Sequence, residues 1–386
     1  MKIDSFKIER FFSKYEFGAR YLLSGSDCDG LSLEYILSLA SEEEKQQWKN
    51  MKLGYSETRG SLMLRTAIAR HYDRIGPDNV VVCSPGEANF ALMNTYLQKG
   101  DEIICMAPSY QSLYEVAFSI GCKVSFWQAE LRKGGWYFDT GSLKDLVNKD
   151  TRMIIINFPH NPTGFTPSID EYNEIINIAA SGGILLFSDE MYRFLMHDPQ
   201  FNIPSACDVY ENAVSLWGTS KSFGLAGLRL GWLTSLNQSI LEKVESFKDY
   251  LSICTSPATE IPAAIALNNT QTIIRNNLEK IRINIGHFSK FAERNNRLLE
   301  FPVPNSGSTG YLPLNIKIPA ADFVDRVFRD TGVLLLPSET FNHGSKHIRI
   351  GFGKENFTEG LDCLEKYINT KDIQAIITHQ NNPYGS

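Results

Sequence analysis

Met153-Ile154-Ile155-Ile156-Asn157 and Ile184-Leu185-Leu186-Phe187 are short, unbroken apolar runs, and the residues between them decide the fold. Runs this brief, rich in β-branched side chains, read as strands buried on both faces. Between them Ile169, Tyr172, Ile175, Ile176 and Ala179 recur at helical spacing. Ser168 is placed to cap that helix, and Gly182-Gly183 stops it. Strand, helix and strand in this order imply parallel neighbours joined by a crossover. Working outward, similar runs at 80–83, 102–106, 123–127, 213–216 and 232–235 complete the pattern, with a second helical stretch at 87–99 ending before Gly100. The expectation is an α/β fold whose mainly parallel seven-stranded sheet is sandwiched by helices.

After residue 237 the texture changes. Residues 270–300 read as one long helix striped by Ile273, Leu278, Ile281, Ile285 and Phe288. Strands are expected at 311–318, 333–336 and 348–350, with helices near 321–330 and 356–368. The expected organisation is an N-terminal segment, 1–45, contributing to a small domain and to the substrate pocket. A large domain, 46–270, a small α+β domain, 271–370, and a polar tail, 371–386, follow it.

The 386 residues are enough to bury a full core, and 43% hydrophobic against 21% charged residues is ordinary for a globular chain. A net charge of −6 gives no general attraction to nucleic acid or to anionic membranes. Basic residues form no patch interleaved with aromatics, and no apolar run approaches the ~18 residues of a membrane span. The seven cysteines include no C-x-x-C pair, and the charged Met1-Lys2-Ile3-Asp4-Ser5 is unlike a secretory leader. A cytoplasmic protein with free thiols is expected.

Ligands of open α/β sheets bind beyond the carboxyl ends of the strands. Three loops there are polar: Phe158-Pro159-His160-Asn161-Pro162-Thr163-Gly164, Ser188-Asp189-Glu190-Met191-Tyr192 and Gly218-Thr219-Ser220-Lys221-Ser222-Phe223-Gly224. Taken singly they are a turn, a helix cap and a solvated lysine. Taken together they deliver an amide, a carboxylate, a phenol and an amine to one rim, with Arg229 eight residues beyond Lys221. That set suits pyridoxal 5′-phosphate (PLP), which needs a lysine for a Schiff base, an anion at its ring nitrogen and a phosphate cradle. Lys221 suits the first role and Asp189 the second. Asn161 and Tyr192 are placed to hydrogen-bond the ring phenolate, and Arg229 offers a fork to the phosphate. No metal-ligand cluster, dinucleotide fingerprint or P-loop competes with this reading. His160 is expected as a solvated loop residue.

These motifs carry a family resemblance. Asn161-Pro162-Thr163-Gly164, Asp189-Glu190-Met191-Tyr192 and Ser220-Lys221-Ser222-Phe223-Gly224-Leu225-Ala226-Gly227-Leu228-Arg229-Leu230-Gly231-Trp232 resemble class I/II aminotransferases, fold-type-I PLP enzymes. The resemblance implies transfer of an amino group between an L-amino acid and a 2-oxo acid, in a homodimer with shared sites. It further implies that Tyr110, in Pro108-Ser109-Tyr110, stacks on the cofactor. Tyr55, in Tyr55-Ser56-Glu57-Thr58-Arg59-Gly60, matches the residue that reaches the neighbouring subunit's phosphate. Arg349, in His347-Ile348-Arg349-Ile350-Gly351, matches the grip on the α-carboxylate. Ser26, in Ser24-Gly25-Ser26-Asp27-Cys28-Asp29-Gly30, falls in a segment that lines the family's substrate pocket, and its acidic neighbours hint at a cationic or polar side chain.

Two positions depart from the family pattern. Gly218 replaces a phosphate-binding hydroxyl, leaving Thr219 or Ser220 to supply it, and the phosphate loop reads Ser84-Pro85-Gly86-Glu87-Ala88. The amides of Gly86, Glu87 and Ala88 at a helix start still suit a phosphate, provided the Glu87 side chain points away. Other outcomes share this fold. The block at 217–221 and the segment at 55–60 also resemble the capreomycidine-synthase branch, so a PLP-dependent lyase or cyclase is the alternative to transamination. A non-catalytic PLP-binding regulator is a third reading, with no helix-turn-helix in the residues before Tyr55 to support it.

Overall fold

The structure is a computed structural model and describes residues 2–377. Each of the seven expected runs forms a strand: β1 (Val80–Cys83), β2 (Glu102–Ala107), β3 (Lys123–Gln128), β4 (Thr151–Asn157), β5 (Leu185–Asp189), β6 (Ala213–Gly218) and β7 (Gly231–Thr234). They build one sheet in the order β1-β7-β6-β5-β4-β2-β3. Strands β3, β2, β4, β5 and β6 are parallel, and β7 is antiparallel to both neighbours. Alternate side chains sort onto two apolar layers: Met153, Ile155, Leu185 and Phe187 on one face, Ile154, Ile156 and Leu186 on the other. That two-sided burial is why the runs are unbroken.

Strand ends differ from expectation where polar residues continue the ladder. Asp189 closes β5, paired with Asn157 and Leu216, and is not a loop residue. The Asn157 side-chain amide donates to the Asp189 carbonyl at 2.8 Å and fixes that end.

Four helices bear on the site: α1 (Lys7–Tyr15), α2 (Pro85–Tyr96), α3 (Ile169–Ser181) and α4 (Thr270–Arg294). Ser168 begins α3 with a capping box, its N–H and hydroxyl both bonded to the Glu171 carboxylate. The buried stripe of α4 includes Asn277 and Asn284 as well as apolar residues, while Leu278 is only half-buried. Asn277 donates to the Ser222 carbonyl, and Asn284 to the carbonyls of Phe352 and Lys354, each at 2.9 Å. The long helix therefore spans from the Lys221 loop to the C-terminal part of the chain.

There, β8 (Thr309–Pro313), β9 (Leu336–Pro337) and β10 (His347–Gly351) form an antiparallel sheet in the order β8-β10-β9. The strand expected at 311–318 stops at Pro313, a residue without an N–H to extend the ladder. The one expected at 333–336 divides. Val333–Leu334 pairs in parallel with Tyr21–Leu22, and Leu336–Pro337 pairs with β10. The N-terminal segment is thus joined to the C-terminal part by a ladder. Of the expected polar tail, Lys371–Ile376 is helical with Ile373 buried, and 378–386 lie outside the described residues. Among the described residues no helix is long and apolar enough to cross a membrane, and no group of His, Cys, Asp and Glu is arranged to hold a metal.

Candidate active site

Lys221 leaves the carboxyl end of β6 in a loop held on both flanks. Ser222 Oγ donates to the carbonyls of Arg193 at 2.6 Å and Met191 at 3.2 Å, and Asn277 holds the Ser222 carbonyl. Lys221 Nζ donates to Ser26 Oγ at 3.0 Å. The loop at 24–30 comes this close because two glycines admit it. Gly224, at φ +68°, has no Cβ to strike the Asp29 carbonyl, and a Cβ on Gly351 would collide with the carbonyl of Gly25.

The same loop reaches Arg349. The guanidinium, 2% exposed, donates from Nη2 to the Ser24 carbonyl at 2.7 Å and from Nη1 to Asn161 Oδ1 at 3.0 Å. Among the described residues no carboxylate pairs with it, so it is not a surface ion-pair arginine. Its Nε is buried without a partner, as is Ser24 Oγ. Such donors cost stability unless a ligand takes them up. Ser26, Asn161, Lys221 and Arg349 are therefore one cluster.

Asp189 is enclosed on the next strand. Burial pushes its carboxyl up to about 7, against the pull of the Met191 N–H at 3.1 Å and of Lys221. A buried acid with no cation in contact fits the protonated nitrogen of a pyridine ring. Tyr192 is 3% exposed. Tyr110 packs its ring on Phe6 and donates from its hydroxyl to Glu9 of α1 at 2.6 Å. Burial and that carboxylate push its phenol well above the ordinary value, and both Tyr192 and Arg229 lie within its field.

The expected phosphate end divides by available donors. Thr219 gives its hydroxyl to the carbonyls of Leu225 and Leu230, whereas Ser220 Oγ is buried and unpartnered. Ser220 is therefore the one with a donor to spare. Gly218 is confined to glycine because a Cβ would sit 2.9 Å from the Leu230 carbonyl. The Ala88 N–H is spent on the Ser84 carbonyl as the first bond of α2, leaving those of Gly86 and Glu87 ahead of it. Glu87 turns its carboxylate to Ser252, accepting from Oγ at 2.7 Å and from the N–H at 3.2 Å, and a Cβ at Gly86 would meet nothing within 4 Å. Arg229, exposed, adopts φ +52° and donates to the Ala226 carbonyl. Unpartnered Ser220, open Gly86, cation-free Asp189 and carboxylate-free Arg349 together fit PLP with an α-amino acid.

Tyr55 stands outside this cluster, 89% exposed. His160 corrects its expectation, since it is buried against Phe138 with Nδ1 2.7 Å from Thr163 Oγ1, and burial pushes its pKa down to about 3. Sequence reasoning missed Glu9, gave Ser24 no role of its own within the segment at 24–30, and assigned nothing to Lys354, which pairs with Asp27 at 3.0 Å. No local signal marks them, because each acquires its place through contacts far apart in sequence.

A family model described as aminotransferase class I and II matches residues 22–362. The chain is 28% identical over 316 residues to a capreomycidine synthase of Streptomyces vinaceus, covering 81% of this chain and 80% of that protein. It is 25% identical over 344 residues to aromatic-amino-acid aminotransferase 2 of Thermococcus litoralis, covering 83% and 85%. Among solved structures, a PLP-dependent aminotransferase from Streptococcus suis superposes with a TM-score of 0.90 at 27% identity, over 98% of this chain and all of that one.

Proposed function

The chain belongs to the class I and II aminotransferase family, and on that premise we propose that it moves an amino group from an L-amino acid to a 2-oxo acid, with Lys221 as the reacting amine. The cofactor is pyridoxal 5′-phosphate. When bound, it supplies an aldehyde carbon that takes up the substrate nitrogen and a ring that stabilises the electron pair left at the α-carbon.

The chain's own groups do the rest. Arg349 binds the α-carboxylate with its unspent Nε, held in place by Asn161 and the Ser24 carbonyl. Lys221 Nζ, oriented by Ser26 Oγ, would take the proton from the substrate α-carbon and deliver it to the carbon that had been the cofactor's aldehyde. Asp189 holds the proton of the ring nitrogen, and Asn161 and Tyr192 hydrogen-bond the phenolate. Tyr110 stacks on the ring. Ser220, Arg229 and the amides of Gly86 and Glu87 hold the phosphate. Tyr55 of a second copy completes that cradle in a homodimer.

One observation carries this reading: a single loop ties the Lys221 amine, through Ser26, to a buried and carboxylate-free guanidinium, through Ser24. The test is to load purified protein with PLP and offer single amino acids. Conversion of the cofactor to its aminated form, with release of a 2-oxo acid, is expected from at least one donor. No amination by any donor overturns the reading. A second reading, elimination or cyclisation of the substrate side chain, is favoured by the 28% identity to a capreomycidine synthase. A cyclic or eliminated product without aminated cofactor is its signature.

A further inference from the structure

Arg349 and Lys221 stand on different sheets, so one amino acid can meet both only if the two sheets are held in register. On the smaller sheet Arg349 occupies one rung, with Tyr311 of β8 on one side and Leu336 of β9 on the other. Its neighbours along β10, Ile348 and Ile350, belong to the main core. Tyr311 and Leu336 belong instead to a separate apolar cluster with Ile8, Phe341 and Trp136. The Phe341 ring centre lies 5.6 Å from the guanidinium carbon of Arg349.

Trp136 is the member of that cluster that comes from the main sheet. It sits on a hairpin just after β3, in which Glu130–Arg132 pairs with Gly135–Tyr137. The base of the hairpin is fixed twice. The Ala129 N–H donates to the Ala107 carbonyl at the end of β2, at 2.7 Å, and Trp127 Nε1 donates to the Asp139 carbonyl at 2.8 Å. The hairpin is therefore an arm anchored where β2 and β3 end.

Its far side reaches the rung of Arg349. Trp136 Nε1 donates to the Tyr311 carbonyl at 2.8 Å, across 175 residues of sequence. Strand β8 is the edge of its sheet, where carbonyls lack a neighbouring strand, and this bond takes one up. The indole is 8% exposed and packs on the rings of Tyr311 at 5.5 Å and His347 at 5.8 Å. Tyr311 stacks on His347 at 5.0 Å and brings its hydroxyl within 3.0 Å of His343 Nδ1. His347, two positions before Arg349 on β10, shares its face. Burial lowers both imidazoles, that of His347 to about 4, so at neutral pH they add no cation beside the guanidinium.

We propose that Trp136 is a positioning residue for the substrate carboxylate: its N–H on the carbonyl across the rung from Arg349 holds that guanidinium where one α-amino acid reaches both it and Lys221. Asn161 fixes the tip of the arginine, and Trp136 fixes the strand at its root. This rests on the reading of Arg349 as the carboxylate anchor and Lys221 as the reacting amine.

The test gives the PLP-loaded protein two probes that differ by a carboxylate, aminooxyacetate and O-methylhydroxylamine. The aminooxy nitrogen of each forms a C=N bond to the cofactor's aldehyde carbon and frees the Lys221 amine, and the loss of visible absorbance gives the rate constant. Aminooxyacetate is expected to react at least ~10-fold faster in the wild type, because only it can use Arg349. Trp136→Phe keeps a ring but loses the N–H and should lower that preference at least ~3-fold, and Trp136→Ala ~10-fold or more, with the O-methylhydroxylamine rate held within ~2-fold. Melting temperature and bound PLP establish that each variant is folded and loaded. In protein stripped of cofactor, hydrogen exchange at 347–351 should quicken at least ~3-fold in Trp136→Phe. An unchanged preference in folded Trp136→Phe, an equal fall in both rates, or unaltered exchange overturns the role whatever the alanine variant does, and leaves the aminotransferase reading standing. A wild type without preference overturns the Arg349 anchor and this role together. Absorbance that neither probe removes overturns the aminotransferase reading itself.

Discussion

Asp189 shows how far one residue depends on a partner that the chain does not supply. Burial lifts its carboxyl from 3.8 to about 7, with Glu190 adding a like charge. A folded value above the unfolded one means that the folded protein holds the proton more tightly. Stability of the cofactor-stripped protein therefore falls as pH rises from about 4 to about 7 and is level above that, as far as this group is concerned. Asp189→Asn removes the slope. Melting temperatures of the stripped proteins should agree near pH ~4.5 and separate by pH ~8 with the variant higher. Adding PLP at the higher pH should raise the wild type more than the variant, because a protonated ring nitrogen then neutralises the buried charge. Arg349 poses the opposite case, a cation waiting for an anion. Arg349→Lys keeps the charge but loses the fork that holds Asn161 and Ser24 while leaving Nε for substrate. Steady-state kinetics should show KM raised ~10–100-fold with kcat less affected. A fall in kcat with KM unchanged, so that kcat and kcat/KM drop equally, would mean that Arg349 acts only on the transition state.

At the scale of elements, Gly351 closes β10 and also decides where the N-terminal loop lies. A Cβ there would collide with the Gly25 carbonyl. Gly351→Ala should push the loop at 24–29 off both Lys221 and Arg349, raising KM and costing about 1–3 kcal/mol of stability in a denaturant titration. Gly286→Ala on α4, where a Cβ meets nothing within 4 Å, is the control and should be neutral or slightly stabilising. This contrast also explains what the sequence discloses. The strands of the main sheet are legible because burial on both faces makes each an unbroken apolar run. The Lys221 loop is legible because its amine, hydroxyls and glycines are contiguous. The loop at 24–30 reads only as an acidic segment placed near the substrate by resemblance, since the bonds that give it its role span 195 residues to Lys221 and 325 to Arg349. Glu9 reads as the solvated face of a short helix, and only the packing of α1 on Tyr110 gives it a role. Thr219 and Ser220 look interchangeable in sequence. They differ only in which backbone carbonyls lie beside them.

The molecule as a whole leaves one surface unfinished. Leu53, Tyr55 and Tyr250 are 80%, 89% and 89% exposed. The backbone nearby is tied down: buried Lys248 donates to the carbonyls of Thr58 at 2.8 Å and Ile253 at 2.6 Å, and Glu260 holds the Ser61 N–H at 3.0 Å. Large apolar and aromatic side chains left bare together mark a contact with another protein. A second copy related by a two-fold axis would cover the patch and carry each Tyr55 to the other's phosphate cradle. Light scattering of the loaded protein should then give twice the chain mass. The sharper measurement is complementation. Lys221→Ala chains lack the amine but keep Tyr55, and Tyr55→Ala chains keep the amine but lack the tyrosine. Coexpressed at equal levels, half the dimers are mixed, and each has one site holding both residues. Activity should return to about a quarter of wild type, well above the sum of the two variants alone. Lack of any gain would mean that Tyr55 serves its own chain or none, and the exposed patch would then need another occupant.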